Sequence, residues 1–390
     1  MAHKDRTPVI CGIGLSDYPK APHLDARGHQ AQALQRALAD SGVRKQDIDG
    51  LAVAESWIPG VPGSDLPETA EFLGIDAKWL DGTYTGGSAY EFQLQHAEAA
   101  IREGLAHTIV LSYGSDLLTR LGRSLGTGYG RPPIGAQQYE APYGNPTVAA
   151  YAMAARRHMH QYGTTAEQLA QIAVGVREYA AFNPNAMYRD PITVDDVLGS
   201  RMVADPLHLL DCCAITDGGG AVIVTTEERA LDLRQPPVYI LGTAARQTHW
   251  SVSQAPDLTT TAGALAGPEA FARAGLAPKD VDMVMLYDSF TITCLLLLES
   301  LGFCAPGEGG AFVEAGNLRK GGALPMNTDG GGLSSCHPGL RGIFLLIEAT
   351  RQLRGAAGDV QVPGCEVALA AGSGGWLSTI GVSILGRSAA

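Results

Sequence analysis

The chain has 390 residues, with 28 Lys and Arg against 40 Asp and Glu and a formal net charge of −12. That balance argues against nucleic acid or an anionic membrane as the main partner, though not against a local basic site. Hydrophobic residues make up 45% and charged residues 17%, as in a compact enzyme, and the length predicts two domains or one large duplicated one. Seven cysteines without regular spacing form neither a disulfide framework nor a Cys-x-x-Cys metal pair. The first residues lack an apolar signal core and no apolar run of about 18 residues is present, so a cytoplasmic protein with reduced thiols is expected.

In chain order, Pro8 to Gly14 reads as a buried strand, and its Gly-x-Gly lacks the third glycine of a dinucleotide fingerprint. Gln30 to Ser41 has helical spacing and stops at Gly42, a natural cap. Leu51 to Ala54 is a second strand, followed by a Pro- and Gly-rich loop and a helix near Glu68 to Leu73. Thr83-Tyr-Thr-Gly-Gly-Ser88 opens a long helix, Ala89 to Glu103, and the strand Thr108 to Ser112 follows. A glycine turn with a small polar residue before a helix is where a nucleophile sits, and its backbone N–H groups can stabilise an oxyanion.

Gly122 to Pro146, rich in Gly, Pro, Tyr and Arg, predicts irregular structure or a lid, and Thr147 to Phe182 predicts helix. Arginines outnumber acids from Asp116 to His160 (Arg120, Arg123, Arg131, Arg156 and Arg157), which marks a candidate contact for an anionic ligand. The adjacent Cys212 and Cys213 sit among apolar residues and read as buried structural thiols. After Gln235 the opening pattern returns. Gly42 with Gly275, Asp47 with Asp280 and Asp49 with Asp282 align at one common offset, each copy running helix, glycine cap, acidic turn, strand. This predicts an internal duplication with mostly parallel, layered sheets. The second copy carries Asn327 to Gly342, a glycine-rich stretch around Cys336 and His337, ahead of an apolar helix from Ile343 to Leu353. Taken alone, that stretch is a turn with an incidental histidine.

The residues Asn183-Pro-x-Ala, Asp205-Pro-Leu, Asp211-Cys-Cys-x-x-Thr-Asp-Gly, Tyr287-Asp-x-Phe, Glu308-Gly-Gly-x-Phe-Val and His337-Pro-Gly run in one order over almost the whole chain. In this pattern the chain resembles the sterol-carrier-type (lipid-transfer) thiolases. The resemblance implies a thiolase-like α/β fold of two duplicated βαβαβαββ halves in α-β-α-β-α layers, with an inserted loop domain. It implies residues 1–117 and 205–233 as the N-terminal half, 118–204 as the insertion and 234–390 as the C-terminal half.

Working thiolases place a nucleophilic cysteine at the start of the long N-terminal helix, a position that falls on Gly87 here, beside Ser88. The family's His-Asp-x-Phe histidine is Tyr287, the second catalytic cysteine falls near Ala371, and the Gly-His-Pro histidine survives as His337 behind Cys336. Thiolysis needs a thiolate, whereas retro-aldol cleavage of a β-hydroxyacyl-CoA needs only a base, an enolate site and a proton donor. The subgroup resembled is the nucleophile-lacking steroid side-chain aldolases. They imply cleavage of a branched β-hydroxyacyl-CoA to a ketone and a short acyl-CoA such as propionyl-CoA.

The expected catalytic set is Tyr287, His337 and Cys336; Gly87, Ser88, Ser289, Gly372, Ser373, Gly374, Arg123 and Arg131 are expected to contact substrate or CoA. No cofactor or metal is expected in this chain. By resemblance, a small OB-fold, zinc-ribbon subunit carries zinc and joins a homodimer core in a heterotetramer. Acyl transfer through Cys336 or Ser88 and a non-catalytic CoA- or lipid-binding subunit remain the rival readings.

Overall fold

The computed structural model describes residues 6–54, 66–122, 133–144 and 147–389. The N-terminal part runs β1 (Pro8–Leu15), α1 (Ala26–Ser41), β2 (Gly50–Val53), α2 (Leu66–Leu73), β3 (Trp79–Asp81), α3 (Ala89–Arg102) and β4 (Thr108–Ser115). Between β4 and β7 (Gly218–Thr226) lie α4 (Leu117–Leu121), α5 (Gln137–Glu140), α6 (Thr147–Tyr162), α7 (Ala166–Ala180), α8 (Val194–Gly199), β5 (Met202–Ala204) and β6 (Leu207–His208). Then follow α9 (Glu227–Ala230), β8 (Val238–Gln247), α10 (Gly263–Ala274), β9 (Met283–Leu286), α11 (Thr291–Ser300), α12 (Gly309–Glu314), α13 (Gly342–Leu353), β10 (Val367–Gly374) and β11 (Thr379–Gly386).

The sheet order is β3-β2-β4-β7-β1-β8-β11-β10-β9. Outward from the β1–β8 junction, β1, β7, β4 and β2 of the first half take the places of β8, β11, β10 and β9 of the second, and the short β3 adds an outer edge to the first half. The junction itself rests on two register pairs, Val9 with Tyr239 and Ile10 with Val238. Outer helices α1 and α10 pack on equivalent strands, while α3 and α13 touch strands of both halves and form an inner layer. The expectation of mostly parallel sheets is corrected. Only β2–β3, β2–β4 and β9–β10 are parallel, because the last strand of each half, β7 or β11, runs antiparallel to both its neighbours, β1 and β4 or β8 and β10.

The duplicated acidic turns show why their residues recur. Gly42 and Gly275 close α1 and α10 in the left-handed region, at φ 79° and 67°, where a side chain is disfavoured. Asp49 accepts the His107 and Thr108 amides at 2.8 Å, and Asp282 accepts those of Glu366 and Val367 at 2.8 and 2.9 Å. Each carboxylate thus ties the turn before β2 or β9 to the start of the parallel strand beside it, β4 or β10.

Candidate functional site

The glycine-rich stretch is a folded device hung from β9. Asn327, at φ 52°, donates its side-chain amide to Leu286 O (2.9 Å) and accepts Leu286 N–H (2.8 Å), as a neighbouring strand would. Gly330 (φ 93°) then starts a π-helical turn, Gly331–Ser335, whose Gly332 and Leu333 amides donate to Asp288 at 2.8 and 3.0 Å. Arg341, fully buried, returns from the far end. Its guanidinium binds Asp329 at 2.7 and 2.6 Å and Cys336 O at 2.6 Å, and its Nε lies 3.3 Å from Asp288. Burial opposes that charge, but Asp329 and Asp288 more than offset it and hold Arg341 protonated.

The motifs carrying the resemblance converge on this turn. Asn183 Nδ2 donates to Asp329 O, Ser335 Oγ and Tyr18 OH. Ala214 N–H reaches Gly332 O at 2.9 Å, and Thr216 Oγ1 accepts His337 N–H at 3.0 Å. Tyr113, from β4, donates to Pro338 O at 2.5 Å and accepts Leu340 N–H at 3.0 Å. Residues from the region between β4 and β7, and from both halves, therefore fix one loop.

Tyr287 follows β9 with its N–H on Ala371 O at 2.9 Å. Its phenol donates to Gly339 O at 3.1 Å and lies 3.4 Å from Arg341 N–H. The ring meets His337 edge-on, with centroids 5.3 Å apart. Its other edge fills the space before α3: a Cβ on Gly87 would lie 2.2 Å from Tyr287 Cζ and 2.4 Å from its oxygen. The tyrosine thus occupies the volume that any side chain at position 87 would need.

Burial pushes the Tyr287 phenol well above its ordinary range, with the nearby Cys213 adding to the effect. Burial, and then the positive Arg341, pull His337 down to about 3. At neutral pH both groups are uncharged, one a phenolic donor and the other an imidazole whose Nε2 has no partner among the described residues.

The remaining expected site residues divide. Gly372 and Gly374 are brought to the centre, where a Cβ on Gly372 would sit 2.8 Å from Ser88 Cα and one on Gly374 1.7 Å from Thr85 O. The hydroxyl of Ser373 is buried there without a partner among the described residues. Ser88 turns its own hydroxyl back to Thr85, and no base contacts it among the described residues. Cys336 is 1% exposed, its thiol bound to Thr216 Oγ1 and pushed up to about 12 by burial, the reverse of an activated nucleophile. Ser289 pairs with Thr293. Arg123 and Arg131 lie outside the described residues, while Arg120 and Arg156 pair with Asp116 and Asp205. Cys212 and Cys213 have their thiols pushed up by burial, Cys212 to about 12, in keeping with structural thiols.

Sequence reasoning missed Asp288, Arg341 and Tyr113. Asp288 and Arg341 stood inside quoted motifs, but only the fold pairs them. A cleft of about 570 Å³ lined by Tyr18, Arg36, Asn183 and Arg351 includes neither Tyr287 nor His337 in its walls. The aromatic cleft of Tyr151, His249, Leu258 and Trp376 adjoins the site more closely, since Tyr151 packs on Phe290 at 4.5 Å. Among the described residues, no group of His, Cys, Asp and Glu is arranged to hold a metal, and no helix is long and apolar enough to cross a membrane.

Residues 244–387 match the family model "Thiolase C-terminal domain-like". A steroid side-chain-cleaving aldolase of Thermomonospora curvata is 36% identical over 94% of this chain and 95% of its own. A 17-hydroxy-3-oxo-4-pregnene-20-carboxyl-CoA lyase of Mycobacterium tuberculosis is also 36% identical, over 94% of this chain and 96% of its own. Among solved structures, the Ltp2-ChsH2(DUF35) aldolase superposes with a TM-score of 0.87 at 34% identity over 97% of both chains. The shared fold, the ordered motifs and these full-length relatives place the chain in the thiolase superfamily, among the thiolase-like proteins that include the steroid side-chain-cleaving aldolases.

Proposed function

We propose that this protein is a carbon–carbon lyase that cleaves a branched β-hydroxyacyl-CoA, a steroid side-chain thioester, to a ketone and a short acyl-CoA such as propionyl-CoA. The observation that carries the reading is the Tyr287 ring in the space beside Gly87, facing the neutral His337. In the proposed reaction the β-hydroxyl hydrogen-bonds to His337 Nε2 and passes its proton there as the Cα–Cβ bond breaks and its oxygen becomes the ketone carbonyl. The negative charge of the forming enolate favours the imidazolium that burial and Arg341 disfavour in the free protein. The electron pair passes into the thioester enolate. Tyr287 turns its O–H from Gly339 O to the enolate oxygen, and the proton held on His337 passes to Cα to give the short acyl-CoA. Free CoA is not consumed and no acyl-enzyme forms.

The names of the two curated relatives support the reaction and the steroid substrate, and that of the solved aldolase supports a DUF35 partner. Zinc in that partner, a homodimeric core within a heterotetramer and a cytoplasmic location complete the reading. Arg123 and Arg131 are its candidate contacts for the CoA phosphates.

The test gives the protein, alone and with its small partner, a tertiary β-hydroxyacyl-CoA without free CoA. Release of ketone and short acyl-CoA supports the lyase. A strict need for free CoA with acyl trapped on Cys336 or Ser88 overturns it in favour of acyl transfer.

A further inference from the structure

Glu91 stands in the first turn of α3, 0% exposed, and neither carboxyl oxygen has a hydrogen-bond partner among the described residues. An unpaired carboxyl at that depth destabilises the fold, so its presence calls for a function. Three glycines make room for it. A Cβ on Gly372 would lie 2.0 Å from Glu91 Oε2, one on Gly342 2.6 Å from the same oxygen, and one on Gly381 2.5 Å from Glu91 Cβ.

The segments walling this slot are those that hold Tyr287. Gly342 follows Arg341, whose N–H faces the phenol oxygen, and Gly372 follows Ala371, whose carbonyl takes the Tyr287 N–H. The same built point beside Gly342 lies 2.6 Å from Gly87 O, and Gly87 gives the ring its clearance. We propose that Glu91 is a positioning residue, a neutral buried acid that fixes the Gly87 turn against Gly342 and Gly372 and so the seat of the Tyr287 ring. The assignment rests on the lyase reading above.

A protonated carboxyl has an O–H to offer backbone carbonyls such as Gly87 O, whereas a carboxylate only accepts and repels them. Burial pushes Glu91 up to about 8, so the proton is held at neutral pH. No cation faces it to reverse that. β10 and β11 carry no ionisable residue, and Arg341 is bound by Asp288 and Asp329. Tyr90, its neighbour on α3, packs on Tyr113 and is held neutral by burial, as is Tyr287 beyond Gly87. Neither Tyr287, far above, nor His337, at about 3, titrates near 8.

The experiment compares kcat against pH for the wild type, Glu91→Gln and Glu91→Leu with the β-hydroxyacyl-CoA. Wild-type kcat should fall as pH rises through about 8, with KM changing little. Glu91→Gln should stay within about threefold of wild type at neutral pH and lose that fall, while Glu91→Leu should lose at least about tenfold in kcat although folded. An unchanged alkaline fall in Glu91→Gln, or wild-type kcat in Glu91→Leu, overturns the proposal. A second readout needs no turnover. Because the folded pKa is raised, the native state binds the proton that the unfolded chain has released. The wild-type thermal midpoint should therefore drop relative to Glu91→Gln as pH rises from about 4.5 to about 8. That drop without any cleavage of the thioester sinks the lyase reading and the catalytic role, leaving the buried proton; no drop sinks the proton itself.

Discussion

Tyr287 and His337 have opposite needs met by one environment. Depth in the core keeps the phenol protonated and the imidazole neutral, and Arg341 strengthens the second effect by placing a fixed positive charge nearby. Removing only the phenol oxygen, in Tyr287→Phe, should lower kcat by about 10²–10⁴-fold. Stability should fall by about 1–3 kcal/mol, since the bond to Gly339 O is lost and the buried Arg341 N–H loses its acceptor; steady-state kinetics and thermal melts check both. His337 is also an acid-sensitive point. Its folded pKa lies below the ordinary 6.5, so the unfolded chain takes up the proton first and stability falls as pH drops from about 6.5 toward about 3. His337→Gln should remove that component, seen as a shallower fall of the melting temperature with acid. At Gly87, an alanine would drive its methyl into the Tyr287 ring. Gly87→Ala should destabilise by about 1–3 kcal/mol and cost activity well beyond the unfolded fraction.

The loop between α12 and α13 behaves as one element because its polar groups close on each other. Asp288 takes two amides of the π-helical turn, Arg341 spans Asp288 and Asp329, and Asn327 splices the start of the loop to Leu286. Breaking a buried ion pair leaves a charge without its partner, at about 3–5 kcal/mol. Arg341→Met should therefore destabilise by that order, as read by denaturant unfolding, and should raise the His337 pKa by removing the positive neighbour. The motifs of this loop were legible in the sequence as quoted strings, as were the helices that flank it. Their geometry was not. Nothing in the order Asp-Gly-Gly-Gly-Leu-Ser-Ser tells that a π-helical turn forms there, because the turn is stabilised by Asp288, from another segment.

Across the whole molecule, the two halves share an inner layer. α3 belongs to the first half by sequence yet packs on β8, β10 and β11, and α13 belongs to the second yet packs on β1, β4 and β7. We propose that residues 1–233 and 234–390 are interdependent halves. Expressed separately, neither should show a cooperative thermal transition, whereas the two co-expressed should recover one by calorimetry. Independent melting of either piece would show that the inner helices are dispensable to it.

The sequence by itself determined the duplication, since a glycine cap and an acidic turn at one offset report local backbone needs that recur wherever the same strand start must be tied down. By resemblance it also pointed to Gly87 as the place where a nucleophile is missing and to His337 as the histidine that is kept. Only the tertiary structure decided what those facts mean. It put the Tyr287 ring into the space beside Gly87, turned Cys336 away into a hydrogen bond with Thr216, and left Glu91 alone in a slot made by three glycines. Each of these depends on which distant residues become neighbours, and burial then shifts their protonation. Neither contact nor depth is written in the spacing of residues along the chain.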